Sequence, residues 1–134
     1  MKKAFFHGII AGILASLAGI IYFNIYQNAL GTQFNKIVNS RSIAGASLFA
    51  CILMAFSYWL LDKFNKEKLK GILNVVIALL SFASILGPIS MSLPLDIQNP
   101  ELFPGLVVPM HFFPALAFFC IAPFFKKNHD SLAA

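Results

Sequence analysis

Histidine and cysteine are the side chains of this sequence best suited to acid–base, metal or thiol chemistry. The chain has three histidines, His7, His111 and His129, and two cysteines, Cys51 and Cys120. The cysteines are isolated, with no Cys-x-x-Cys pair, so the sequence predicts neither a thiol oxidoreductase nor an internal disulfide. No group of side chains has the spacing of a metal site. Chemistry at this sequence would therefore depend on single histidines.

The motifs of common catalytic mechanisms are absent from the sequence. It has neither a glycine-rich phosphate loop nor a nucleophile elbow. The long apolar stretches hold no Asp or Glu, which argues against a proton relay or a cation-selective acidic ring. We therefore predict no catalytic residue, no metal and no cofactor, and the sequence favours a non-enzymatic protein over an enzyme.

The elements that hold these side chains follow from the composition. Of the 134 residues, 11% are charged and 59% are hydrophobic, and the mean hydropathy is +0.80. A soluble domain normally carries about a quarter of its residues as Asp, Glu, Lys and Arg. This shortage of charge argues against a soluble enzyme, a disordered tail and a nucleic-acid partner, although the net charge is +5. A bilayer is the solvent that suits this chain.

Four stretches without charged residues are each long enough to cross a hydrocarbon core, which takes about 20 residues of helix. The predicted fold class is all-α, an integral membrane four-helix transmembrane bundle in a single domain of residues 1–134. The predicted spans lie near 4–26, 43–61, 71–92 and 104–125.

Basic residues predict the orientation of the bundle. Eight of the ten lie on the side of the termini, whereas only Lys36 and Arg41 lie on the other side. The positive-inside rule therefore places both termini in the cytoplasm. The Met-Lys-Lys start and the short loops favour a bacterial inner membrane. Lys2 and Lys3 also resemble the start of a secretory signal, but the apolar run continues through Phe23, which favours a retained span.

Small residues and prolines predict how the helices pack. Small side chains on one face of the first span let another helix approach closely, either the second or fourth span of this chain or a second copy. Pro109 and Pro114 predict a proline-kinked fourth helix whose freed carbonyls need other donors. Pro94, Pro100 and Pro104 predict a stiff, extended loop before that helix. The small-residue face consists of Gly8, Gly12, Ala15, Ser16 and Gly19.

His111 is the strongest candidate for function, because an ionisable group within a span is costly and usually faces the bundle interior or water. Counting about 1.5 Å per residue places it roughly 21 Å above the cytoplasmic boundary, level with serines of the second and third spans. Its imidazole either bonds to a serine or a proline-freed carbonyl, or it takes part in ligand or proton binding. The candidate ligand-binding residues are His111, Ser84, Ser47, Ser81, Pro109 and Pro114.

A second polar layer is predicted near the cytoplasmic boundary. His7 lies about 5 Å above that boundary, near the levels of Asn74 and Tyr58, where we expect headgroups and water to reach it. His7 and His111 differ in height by about 16 Å, so they cannot hold one haem iron between them.

A third polar group follows the first span. A polar face near the opposite boundary is predicted from residues that recur at helical spacing, which are Tyr22, Asn24, Gln27, Asn28, Gly31 and Asn35. This face has two interpretations. It lines the outer mouth of a transporter, or it belongs to an amphipathic helix that lies along the outer surface before Arg41.

Four short motifs, His-Gly-Ile-Ile-Ala-Gly at 7–12, Ala-Ser-Leu at 46–48, Leu-Leu-Ser-Phe at 79–82 and Pro-Met-His-Phe-Phe-Pro at 109–114, occur in this order. In this order of motifs the chain resembles uncharacterised small four-span bacterial inner-membrane proteins. The resemblance implies a membrane location and no particular activity.

Three functional hypotheses follow. The leading one is a non-enzymatic membrane protein, either an accessory subunit or a binder of an apolar ligand or lipid near His111. Its expected partners are membrane lipids and a second copy or another membrane protein. The alternative is a passive or facilitated transporter of a small solute. A weaker alternative is a lipid- or quinone-directed enzyme with His111 as the base.

Overall fold

Helices dominate the fold because a backbone surrounded by lipid must satisfy its own hydrogen bonds, and a helix does so within one segment. A computed structural model of the protein describes residues 2–125, and within that range it is all-helical, with no strand. Two 3₁₀ turns, Glu67–Leu69 and Pro100–Leu102, precede α3 and α5. The α-helices are α1 Lys2–Leu30, α2 Ser40–Lys63, α3 Lys70–Ser84, α4 Leu86–Ser90, α5 Phe103–Met110 and α6 Phe113–Phe125.

Four helical segments of the described chain are long and apolar enough to cross a membrane, which confirms the predicted all-helical fold with four candidate spans. Each predicted span overlaps one of these segments. They are called here the first to fourth spans, and they comprise Lys2–Leu30, Ser40–Lys63, Glu67–Ser90 and Pro100–Phe125.

The first span is longer than predicted. It continues to Leu30 and ends at Gly31, whose φ of 62° suits a residue without a Cβ. The Thr32 amide then donates to the Gln27 carbonyl at 3.1 Å, as in a Schellman motif. The polar residues Asn24, Gln27 and Asn28 therefore belong to α1 itself, which continues through them without a break.

The loop between the third and fourth spans is also more helical than predicted. Residues 91–94 have no regular structure, but Pro100 begins a 3₁₀ turn and Pro104 lies in the first turn of α5. The prediction of an extended segment through both prolines is wrong. The reason is that the first turn of a helix tolerates proline, since its amides have no intrahelical acceptor.

The small-residue face of α1 packs against α2 of the same chain. A Cβ added to Gly8 would lie 2.6 Å from the Ala55 Cβ, and one added to Gly12 would lie 2.8 Å from a methyl group of Leu48. These distances are shorter than real Cβ contacts, so the glycines allow an approach that alanine would prevent. All five residues of the predicted face are buried.

The fourth span packs back onto the first, whereas the third lies at the edge of the bundle. Helix α1 has extensive contacts with α2 and α6, but α3 has few contacts with either α2 or α6. Ile77 is the one buried residue of α3. Helix α5 ends at Met110 and α6 begins at Phe113, so the fourth span is interrupted between its two inner prolines.

Two ends of the bundle can be distinguished. The loop end carries residues 31–39 and 91–99, which the Lys36–Asp96 ion pair joins. The lysine end carries the start of α1 and residues 64–69. A core cluster that includes Ala11, Cys51 and Phe118 lies toward the lysine end, and a second cluster that includes Phe34 and Phe103 lies at the loop end.

Candidate functional site

The predicted ligand-binding residues around His111 mostly bond within their own helices. His111 Nδ1 donates to the Val107 carbonyl at 2.7 Å, one turn earlier in the fourth span. Ser84 donates to the Ser81 carbonyl at 2.7 Å, and Ser81 donates to the Ile77 carbonyl at 3.0 Å. None of these hydrogen bonds joins His111 to a serine of another span.

The other predicted members of this group lie at separate places in the bundle. Ser47 is buried in α2, whereas Ser84 is exposed on α3. Pro109 lies in α5 and Pro114 lies in the first turn of α6. The carbonyl of Pro114 accepts a hydrogen bond from the buried Cys51 thiol, with 3.6 Å between sulfur and oxygen. This bond ties the second span to the start of α6.

One carbonyl of the fourth span lacks its helical donor because of a proline, and the Tyr22 hydroxyl donates to it instead. Pro109 has no amide hydrogen, so the Gly105 carbonyl lacks its usual donor four residues later. The Tyr22 hydroxyl donates to that carbonyl at 2.8 Å. One turn along α1, the Tyr26 hydroxyl donates to the Leu102 carbonyl at 2.7 Å. These two tyrosines attach the first span to the start of the fourth.

Gly105 permits this attachment because it has no side chain. A Cβ at this position would collide with the Tyr26 hydroxyl. Tyr22 belongs to the predicted polar face, whereas Tyr26 was not among the predicted residues. The spacing of four residues between the two tyrosines places both on one side of α1 and was a usable signal.

The remaining residues of the predicted polar face divide into two groups. Gln27, which is buried, accepts a hydrogen bond from the Phe34 amide at 2.8 Å and so fixes the loop after α1. Asn24 is exposed and donates to the Ile20 carbonyl of its own helix at 3.0 Å, and Asn28 is also exposed. Gln27 therefore fixes the loop after α1, whereas Asn24 and Asn28 remain exposed.

The second polar layer forms a connected cluster at the lysine end. The Tyr58 hydroxyl donates to the side-chain carbonyl of Asn74. The Tyr58 ring contacts the edge of Phe118, whose ring stacks on His7 with 4.0 Å between centroids. Phe125 stacks on His7 at 4.8 Å. The three predicted members, His7, Asn74 and Tyr58, are thus linked through Phe118, which was not among the predicted residues.

His7 is more enclosed than the sequence suggested. Its residue is 5% exposed, and Nε2 donates to the Phe118 carbonyl at 2.9 Å. The expectation that headgroups and water reach His7 is wrong because the rings of Phe118 and Phe125 stack on the imidazole. His129 lies outside the described residues.

An open pocket of about 320 Å³ lies at the loop end, and we call it the loop pocket. Its buried members, Ile97 and Phe103, belong to the core cluster at that end. Ile89, Met91 and Leu95 are exposed and border its mouth. None of the predicted ligand-binding residues lines it. The lining residues are Pro88, Ile89, Met91, Leu93, Pro94, Leu95, Ile97, Pro100, Phe103 and Pro104.

Charged residues lie next to this lining. Asp96, between two lining residues, accepts a charge-assisted hydrogen bond from Lys36 at 2.5 Å. This hydrogen bond and the positive charge of Lys36 hold the pKa of the Asp96 carboxyl below its usual range. Glu101 follows the lining residue Pro100 and is exposed. The lining therefore combines apolar side chains with polar backbone atoms, and charged residues adjoin it in the sequence.

The described residues contain no group of three or more His, Cys, Asp or Glu side chains that could hold a metal ion. No protein-family model, curated protein or solved structure matches this sequence.

Proposed function

We propose that this protein is a non-enzymatic integral membrane protein that binds a lipid chain or another small apolar ligand in the loop pocket. The observation that carries the proposal is the lining, because all ten of its residues have apolar side chains, while polar backbone atoms form the rest of its surface. Apolar lining with a few polar groups nearby is typical of small-molecule sites. This proposal moves the predicted ligand site from His111 to the loop end of the bundle.

The size of the pocket limits what it can hold. Ligand pockets usually measure about 300–1,000 Å³, and the loop pocket is at the lower end of this range at about 320 Å³. It therefore suits one chain segment or a small ligand better than a whole lipid. The exposed residues at its mouth leave room for the remainder of a longer molecule.

The hydrogen bonds of the interior give its histidines and its buried cysteine a structural role. The ring nitrogen of His111 that bonds to Val107 and that of His7 that bonds to Phe118 both donate to carbonyl oxygens. Cys51 donates in the same way to Pro114. In this structure, the bonded nitrogens serve to join or cap helices.

Photolabelling tests the proposal. A diazirine-bearing fatty acid would be incubated with the protein in micelles, and labelled peptides would be mapped by mass spectrometry. We expect labelling within residues 88–104, and we expect Met91→Trp to lower it severalfold by filling the mouth. Leu79→Trp, at an exposed site of α3, is the matched control and should leave that labelling unchanged. Equal labelling in all three proteins would contradict the proposal.

We also propose a role as an accessory subunit that uses the third span. The supporting observation is its lack of packing, since Ile77 is the one buried residue of α3 and α4 has none. Another membrane protein or a second copy would bury this surface in the membrane. Leu80→Cys, at an exposed site of α3, should allow crosslinking to that partner, and Leu17→Cys, at an exposed site of α1, is the control.

For the arrangement in the membrane, we propose that the lysine end faces the cytoplasm of a bacterium, with both termini on that side, and that the fourth helix is kinked at its prolines. Eight of the ten basic residues support this orientation. Reporter fusions after residues 66 and 134 should be active in the cytoplasm, and fusions after residue 36 should be active outside. The reverse pattern would overturn the orientation.

A further inference from the structure

The lining of the loop pocket offers a ligand no polar side chain. Within the part of the chain that the structure describes, its ten residues are Pro, Leu, Ile, Met or Phe. The polar part of its surface therefore consists of backbone amide and carbonyl groups. An amide can only donate a hydrogen bond, and a carbonyl can only accept one. The balance between these two groups decides which head group suits the pocket.

Prolines shift this balance toward acceptors. Four of the ten lining residues are prolines, and a proline has a carbonyl but no amide hydrogen. Six amides remain for the whole lining, whereas all ten residues keep a carbonyl. The four prolines are Pro88, Pro94, Pro100 and Pro104.

Three of the six remaining amides already donate to carbonyls of the chain. The Ile89 amide donates to the carbonyl four residues earlier at 3.2 Å. The amides of Ile97 and Phe103 each donate to the carbonyl three residues earlier, at 3.2 Å for Ile97. At most three lining residues, Met91, Leu93 and Leu95, therefore have an amide available for a ligand.

The carbonyls of the lining are more available than its amides. Residues 91–94 have no regular structure, so no helix takes up their carbonyls. Among residues 2–125, no backbone amide donates to the carbonyls of Met91, Leu93 or Leu95. A carbonyl has two lone pairs, so even one that accepts within the chain can accept a second hydrogen bond. The polar surface of the pocket is thus rich in acceptors and poor in donors.

We infer, as an extension of the proposed binding function, that the loop pocket selects an apolar ligand whose head group donates hydrogen bonds, such as a fatty alcohol. The chain of the ligand contacts the apolar side chains, and its hydroxyl donates to a backbone carbonyl of the lining. A head group that only accepts, such as an ether or an ionised carboxylate, displaces water from the carbonyls without replacing its hydrogen bonds.

Competition between two isomers tests this selection. Dodecanol and methyl undecyl ether have the same atoms and no charge, but only the alcohol has an O–H donor. Each would compete with the diazirine-bearing fatty acid for the full-length protein in micelles. We expect dodecanol to halve the labelling of residues 88–104 at about a fivefold lower mole fraction than the ether, which is the effect of one hydrogen bond.

A proline variant tests the role of the missing amides. Pro104 lies in the first turn of α5, where a helix does not need the amide. Pro104→Ala adds one donor to the lining, and we expect the preference for dodecanol to fall to about twofold. Pro123→Ala adds the same donor in α6, outside the lining, and is the matched control. It should keep the fivefold preference.

The outcomes separate this inference from the proposed function. If the ether displaces the photolabel as well as dodecanol does, or better, the head-group inference is wrong and the binding function stands. A fivefold preference that persists in Pro104→Ala also overturns the inference. If neither isomer displaces the label, the inference is wrong, and if Met91→Trp also leaves the labelling unchanged, both proposals fail. The comparison of the isomers on the unaltered protein does not depend on the folding of any variant.

Discussion

The first and third spans are both long apolar helices, but they relate to the rest of the bundle in different ways. Helix α1 buries nine residues, and α3 buries Ile77 alone. The buried face of α1 carries small residues that let α2 approach, whereas α3 carries Val75, Val76 and Leu79 at exposed positions.

This comparison shows what holds helices together in a lipid environment. Lipid tails are as apolar as leucine, so apolar surface alone does not drive association, and close packing or polar contacts must do so. The third span has a few such contacts along its length. Asn74 accepts from Tyr58, Lys70 pairs with Asp62 at 2.5 Å, and Phe82 meets the edge of Phe112 at 4.9 Å.

Removal of one aromatic ring from each region should give the largest difference. Phe118→Ala removes a fully buried ring that stacks on His7, and we expect it to lower the free energy of unfolding by about 3–5 kcal/mol. Phe82→Ala removes a ring that is 61% exposed, with an expected loss of about 0.5–1.5 kcal/mol. Equilibrium unfolding in mixed micelles measures both losses. Equal losses would mean that the two regions are equally well packed.

Addition of a methyl group to one glycine in each region should give the next largest difference. Gly8→Ala places a Cβ 2.9 Å from the Cys51 carbonyl oxygen, so the backbones must separate, at a cost of about 1–3 kcal/mol. Gly87→Ala meets nothing within 4 Å and should be neutral, or stabilising by up to about 1 kcal/mol through helix propensity. The same unfolding assay compares them. A stable Gly8→Ala protein would show that α1 and α2 are not in close contact.

A double-mutant cycle should resolve the smaller contribution of the Tyr22 hydroxyl. Tyr22→Phe leaves the Gly105 carbonyl without a donor, and we expect a loss of about 1 kcal/mol. Pro109→Ala restores an amide that can donate to the same carbonyl. Tyr22→Phe should therefore cost much less in the Pro109→Ala background. Equal costs in both backgrounds would mean that the hydroxyl does not replace a donor missing at Pro109.

The smallest expected effect concerns the ion pair at the loop end. Lys36 lowers the pKa of Asp96, so the ion pair stabilises the fold above the usual pKa of an aspartate. This contribution is lost as the pH falls through the lowered value. Carbon-detected NMR titration should show the Asp96 pKa below its usual range, and Lys36→Met should raise it. An Asp96 pKa that does not change in Lys36→Met would show that the pair does not form.

The sequence predicted the parts of the fold that depend on composition and periodicity. Charged residues delimit the spans because a charge within lipid is costly. The small-residue face of α1 was identified from spacing alone, although its partner was left open. The rise per residue placed Tyr58 and Asn74 at one level, and their side chains are hydrogen-bonded.

Other features depend on the rotation of each helix about its axis and on the acceptor that each side-chain hydrogen-bond donor finds. The predicted height of His111 did not reveal that its imidazole would bond to Val107 of its own helix. The burial of His7 depends on the side of α6 that carries Phe118. The loop pocket was missed because its lining residues Met91, Leu93 and Pro94 lie in a segment without regular structure, so no periodicity describes them.

The contact between the first and last spans has a consequence for the order of assembly during synthesis. Phe118, which bonds with and stacks on His7, is separated from it by 111 residues. Tyr22 likewise meets Gly105 only after most of the chain has been made. A nascent chain with three spans inserted would hold a paired helical hairpin and a nearly unattached third helix. The last helix must still pack onto the first, so ribosome-bound intermediates should leave that face of α1 open to membrane chaperones.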